Sequence, residues 1–136
     1  MPRWADMHYV YLMSSRKKSW APRGTKLYRK VGITRDVEHR KKLLSQGGDI
    51  LYEIVKVWHM PDDAVLVEWV ARKLLKRDGN FGEEYMVASV EECLECIDEA
   101  IKLVAANDYS RWPKKQWSNS VRKRMGLKAW NQYGEI

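Results

Sequence analysis

The sequence predicts a mixed α/β domain, a small three-stranded antiparallel sheet flanked by helices and followed by a basic C-terminal extension. Three observations predict it. Side chains alternate in character over 8–13 and again over 27–33, as in two paired strands. A third run, 50–58, is rich in β-branched and aromatic residues. Between and after these runs stand segments with apolar residues at helical spacing, opened by residues that cap helices.

In the first segment His8, Val10 and Leu12 share one face, and Tyr9, Tyr11 and Met13 the other. In the second, Leu27, Arg29, Val31 and Ile33 lie opposite Tyr28, Lys30 and Gly32. Paired antiparallel, Val10, Leu12, Val31 and Ile33 form the core-facing set, which leaves Tyr9, Tyr11, Tyr28 and Lys30 on a polar, aromatic face. The connection between them carries Arg16, Lys17, Lys18, Trp20, Pro22 and Arg23 and is longer than a tight hairpin needs. A basic, aromatic loop suits nucleic acid, and a plain solvated loop has the same composition.

Thr34 or Asp36 caps a helix from Val37 to Gln46 that Gly47-Gly48 ends. After the third strand, Asp62 caps a helix running to about Arg77, with Val67, Val70, Ala71 and Leu74 as its stripe and Asp78-Gly79-Asn80 as its stop. An extended piece, Tyr85 to Ala88, precedes a third helix opened by the capping box Ser89…Glu92. Val90, Cys93, Ile97, Ile101 and Val104 follow helical spacing there, so Cys93 and Cys96 read as helix face. A zinc site needs about four ligands, and His8, His39 and His59 are scattered.

At 136 residues the chain can bury a core without disulfides. It divides into a domain over 1–106 and an extension over 107–136. No apolar run reaches the length of a membrane span, and the first residues lack the apolar segment of a signal peptide, so a cytoplasmic protein with no membrane partner is expected. The net charge of +7 is unevenly spread: residues 1–60 and 107–136 are basic and the middle third acidic, a distribution suited to a polyanion on one side. The extension interleaves Arg111, Lys114, Lys115, Arg122, Lys123, Arg124 and Lys128 with Trp112, Trp117, Trp130 and Tyr133. Its cations suit phosphates, a helix is expected over 118–130, and Trp112 with at least one other tryptophan is expected to pack on the domain.

The order of Tyr9-Val10-Tyr11, Lys30-Val31-Gly32-Ile33-Thr34, Arg40 and Glu68 on the helix after the third strand resembles the GIY-YIG nuclease superfamily. The likeness is to its compact, often phage-borne branch with lysine in the second motif, and it spans about residues 7 to 103. It implies a divalent-metal-dependent endonuclease that hydrolyses DNA phosphodiester bonds, with Tyr11, Lys30, Arg40 and Glu68 catalytic and Glu68 holding one Mg²⁺ or Mn²⁺ per site. Arg16, Lys17, Lys18, Arg23, Lys41, Lys114, Lys115, Arg122, Lys123 and Arg124 are the expected DNA contacts. One such site cuts one strand, so a double-strand cut calls for a homodimer on DNA or two encounters.

Each residue type suits its role. A phenol titrates near pH 10 and needs a cation such as Lys30 beside it to act as a base. Arg40 offers a planar fork of donors to phosphate oxygens. A single carboxylate suffices for a magnesium ion that keeps several waters, although Glu68 can instead pair with Arg72 one turn on. Two departures from the family pattern stand out: Leu44 occupies the place of a histidine or tyrosine, and no asparagine lies in 84–88. A binding module on the same fold without turnover, or a protein-binding module using the acidic third, are the rival readings.

Overall fold

A computed structural model describes residues 7–24, 28–75, 85–86, 88–131 and 134–135. Strands and helices follow the expected order: β1 (Tyr9–Lys17), β2 (Arg29–Thr34), α1 (Val37–Ser45), β3 (Ile50–His59), α2 (Ala64–Leu75), β4 (Tyr85–Met86) and α3 (Val90–Ala105). A 3-10 turn (Lys114–Gln116), α4 (Asn119–Arg124) and the two-residue strands β5 (Trp130–Asn131) and β6 (Gly134–Glu135) complete the chain.

The sheet is antiparallel in the order β3-β1-β2-β4, so the three expected strands form its body and β4 adds a short fourth beside β2. Tyr11 stands opposite Gly32 and Met13 opposite Lys30. On the other side of β1 the register slips by one residue, because Leu12 faces Lys56 and Met13 faces Ile54, leaving Val55 as a bulge.

Both faces of the sheet are covered. Val10, Leu12 and Val31 pack with Ala64, Val67, Val70 and Ala71 of α2 and Cys93, Ile97 and Val104 of α3 in the main core. On the opposite face Tyr11, Met13 and Tyr52 form a second core, closed by Val37 and Leu44 of α1. This corrects the expected polar face: Tyr11 and Lys30 each retain only 1% of their surface. Leu44 occupies an apolar site there, which a histidine could enter only with a partner for its ring nitrogens. Leu27, Asn80 and Glu84 lie outside the described residues.

Helix boundaries follow local chemistry. The Asp36 side chain accepts from the His39 N–H (3.0 Å) at the start of α1, and Ser89 accepts from Glu92 N–H (3.1 Å) at the start of α3. Past the end of α3, Asn107 takes φ 51°, the left-handed turn that ends helices. The expected stop of α2 at 78–80 is outside the described residues. In the extension, Ser118 accepts from Val121 N–H (3.3 Å) to open α4, but Gly126 at φ 75° ends it far short of the expected Trp130.

The extension is built into the main core. Tyr109, Trp117 and Val121 are buried there. Trp69 of α2 meets Trp112 edge-on at 5.3 Å between ring centroids, and Trp117 Nε1–H donates to the carbonyls of Tyr109 (3.2 Å) and Trp112 (2.9 Å). None of the described helices is long and apolar enough to cross a membrane.

Candidate active site

Gly32 sets the geometry around Tyr11. A Cβ on Gly32 would lie 2.6 Å from Tyr11 Cζ, so the phenol ring occupies the volume that any larger residue at position 32 needs. The bare backbone of the Lys30-Val31-Gly32 segment therefore seats the tyrosine from the neighbouring strand.

Arg40 brings a cation to this phenol. Its Nε–H donates to Tyr11 Oη over a long 3.5 Å, across 29 residues of sequence. Val37, Arg40 and Leu44 recur at helical spacing, so Arg40 sits on the stripe of α1 that faces the second core, while Lys42 lies on the exposed side. Lys30 lies on the same sheet face as Tyr11, one diagonal step away, and its side chain is buried. The sequence reads Tyr11, Lys30 and Arg40 as close to one another, with Lys30 as the cation beside the phenol, and the structure brings the Arg40 guanidinium to the phenol oxygen.

Glu68 stands elsewhere. It projects from α2, which packs on the face of the sheet opposite α1, and its Oε2 accepts from Arg72 Nη2 at 2.9 Å. The two side chains retain 15% and 19% of their surface, so this pair is half-buried. Both border a cavity of about 270 Å³ with Trp69, Lys73, Ser118 and Ser120. The structure therefore joins Tyr11, Gly32 and Arg40 and sets Glu68 behind the sheet.

No protein-family model, curated protein or solved structure matches this chain. What the site can do follows from its own chemistry. The oxygen donors that a divalent ion could use here are the Glu68 carboxylate and the side chains of Ser118 and Ser120, which border the same cavity, and the cations of Arg72 and Lys73 that line it oppose such an ion. Among the described residues no three of His, Cys, Asp and Glu converge on a common point, so Glu68 would be the lone acidic ligand of an ion that keeps most of its water.

The expected DNA contacts divide into three sets. Lys17, Arg23, Lys114, Lys115 and Lys123 are exposed, and Lys18 and Lys41 half-buried. Arg16 pairs with Glu53 (2.9 Å) at the surface, and Arg124 pairs with Asp63. Arg122 departs from expectation. It is 1% exposed, its Nε–H donates to the Lys128 carbonyl at 2.6 Å, and its guanidinium lies 4.3 Å from the centroid of the Trp130 ring. A side chain so enclosed holds the extension together and does not present its charge to a phosphate. Its neighbour Val121 is equally buried, and the apolar residues at 121 and 127 around it are the one signal of this in the sequence.

Cys93 is buried in the main core and burial pushes its pKa up to about 11, so it remains a protonated thiol at neutral pH.

Proposed function

We propose that this chain is a DNA endonuclease of the GIY-YIG kind. The observation that carries the reading is the convergence of Tyr11, Gly32 and Arg40, three residues of separate motifs, on one phenol. In the proposed reaction Tyr11 accepts a proton from water as that oxygen bonds to phosphorus and one P–O ester bond breaks. Arg40 stabilises negative charge first at the phenol oxygen and then at the phosphate, a use of the guanidinium fork that lysine would serve less well. Lys30, on the same sheet face, adds its cation beside the phenol. Glu68 would be the residue to hold a Mg²⁺ or Mn²⁺ ion, which supplies positive charge to phosphate oxygens when bound, but it stands on the opposite face of the sheet from Tyr11 and Arg40, so the proton transfer at Tyr11 is assigned without it.

Two observations favour a second reading, a nucleic-acid-binding module without turnover: Tyr11 is enclosed, and Glu68 already has Arg72 as its partner. Incubation with supercoiled plasmid with and without Mg²⁺ separates the two. Cleavage that falls on the order of a hundredfold in Tyr11→Phe with DNA affinity kept is the expected outcome, and loss of metal-dependent cleavage in Glu68→Gln would mean that the two faces of the sheet serve one reaction. Full activity in Glu68→Gln removes the metal assignment, and binding without any nicking selects the second reading.

A further inference from the structure

Trp20 keeps 64% of its surface exposed, more than Leu43, Val55 or Met125, the other large apolar residues that face water among those described. It is held out by an ordered turn. The Ala21 N–H donates to the Lys18 carbonyl at 3.0 Å, which closes a turn over Lys18–Ala21, and the Lys18 N–H donates to the Asp49 carbonyl at 2.8 Å, which ties that turn to the entry of β3. The Lys18 ammonium stands 5.7 Å from the centroid of the indole. Arg16, Lys17, Lys18 and Arg23 surround the ring in sequence, and no carboxylate occurs between Ser14 and Gly24.

We propose that Trp20 is a stacking platform for an unpaired nucleobase, with Lys17, Lys18 and Arg23 on the flanking phosphates. A single flat ring among cations is what strand binding by stacking requires. A protein-binding hot spot instead sits in a well-packed pocket whose rim excludes water, whereas Trp20 stands out in solvent with Ser19, Pro22 and Arg23 exposed around it in sequence. Bases inside a duplex have both faces covered by their neighbours, so only an unpaired base offers its face to an indole. The inference rests on the nucleic-acid reading above and narrows its substrate class to DNA with a single-stranded or branched element.

Fluorescence anisotropy in EDTA, where no cleavage occurs, tests it on a labelled single strand, a blunt duplex of equal length and that duplex with one bulged nucleotide. The wild-type protein should prefer the single strand and the bulge over the duplex. Trp20→Ala should weaken binding to those two by about 5- to 100-fold and to the duplex by less than about twofold, whereas Trp20→Phe should retain most of the preference. Circular dichroism of each variant checks folding, which an exposed side chain should not alter. Unchanged binding in Trp20→Ala, an equal loss on all three ligands, or full rescue by Trp20→Leu would overturn the proposal, the last because leucine preserves apolar contact but cannot stack. If the wild-type protein nicks plasmid while Trp20→Ala binds as it does, this inference alone fails; if it binds no nucleic acid, both readings fail.

Discussion

Gly32 shows how one missing side chain organises a site. Because Tyr11 fills the space of its absent Cβ, Gly32→Ala should lower stability by about 1–3 kcal/mol in urea unfolding, and the penalty should shrink in a Tyr11→Ala background where the ring is gone. Equal penalties in both backgrounds would mean that the clash is relieved by strand movement. Cys93 makes a pH prediction of definite sign. Its folded pKa of about 11 lies above the ordinary thiol value of 9.0, so the folded protein holds a proton that the unfolded chain releases first. The associated stability is complete below pH 9 and is lost as pH rises through 11. Burial shifts the Tyr109 phenol upward as well, so it acts in the same direction from pH 10. Equilibrium unfolding from pH 8 to 11 should therefore show falling stability, with a shallower fall in Cys93→Ala and in Tyr109→Phe. At this scale the site is half legible in the sequence: alternation puts Tyr11 on one strand face and Lys30 with Gly32 on another that meets it. That α1 lies over that face follows only from the expected closeness of Arg40 to Tyr11 and Lys30, because α1 is a mostly charged helix whose inward stripe is only Val37, Arg40 and Leu44.

Among the elements, those with strong local signals match the sequence most closely. Asp36, Ser89 and Ser118 all accept the hydrogen bond that their residue type announces, since a capping side chain needs only the backbone two or three residues ahead. Ser89→Ala should therefore reduce stability by about 0.5–2 kcal/mol, measured by thermal or denaturant unfolding. The same substitution at Ser118 should weaken the packing of the extension and expose Trp117 to a fluorescence quencher. The bulge at Val55 and the early end of α4 are not legible. A bulge reflects how two strands some 40 residues apart match their apolar sets, and the α4 boundary depends on a single glycine's φ, neither of which hydrophobic periodicity encodes. The placement of Glu68 is hidden for a related reason. Its helix position puts it on the stripe of Ala64, Ala71 and Leu75, but which face of the sheet receives that stripe is a tertiary fact.

For the molecule as a whole, charge and packing make different demands on the same extension. Replacing Lys114, Lys115 and Lys123 by alanine should weaken DNA binding and flatten its salt dependence by up to about one unit of slope for each phosphate that the protein no longer neutralises. Arg122→Ala should leave that slope unchanged and lower stability by about 1–3 kcal/mol, because a carbonyl and an indole lose their partner. A salt series on both variants decides between these roles. Cutting the chain after Ala106 should strand Trp69 and Val104 in water, and the truncated protein should aggregate or bind a hydrophobic dye while the full chain does not. The participation of Tyr109, Trp117 and Val121 in the same core as Val10 also governs how the protein is born. At about 5–20 residues per second a ribosome needs roughly 6–22 seconds to pass from the first of these positions to the last. Throughout that interval the nascent sheet waits with one wall of its interior missing, so the segment from Tyr109 to Val121, made long after β1, acts as the latch on folding, and holdase chaperones should meet this chain most while that segment is still being synthesised.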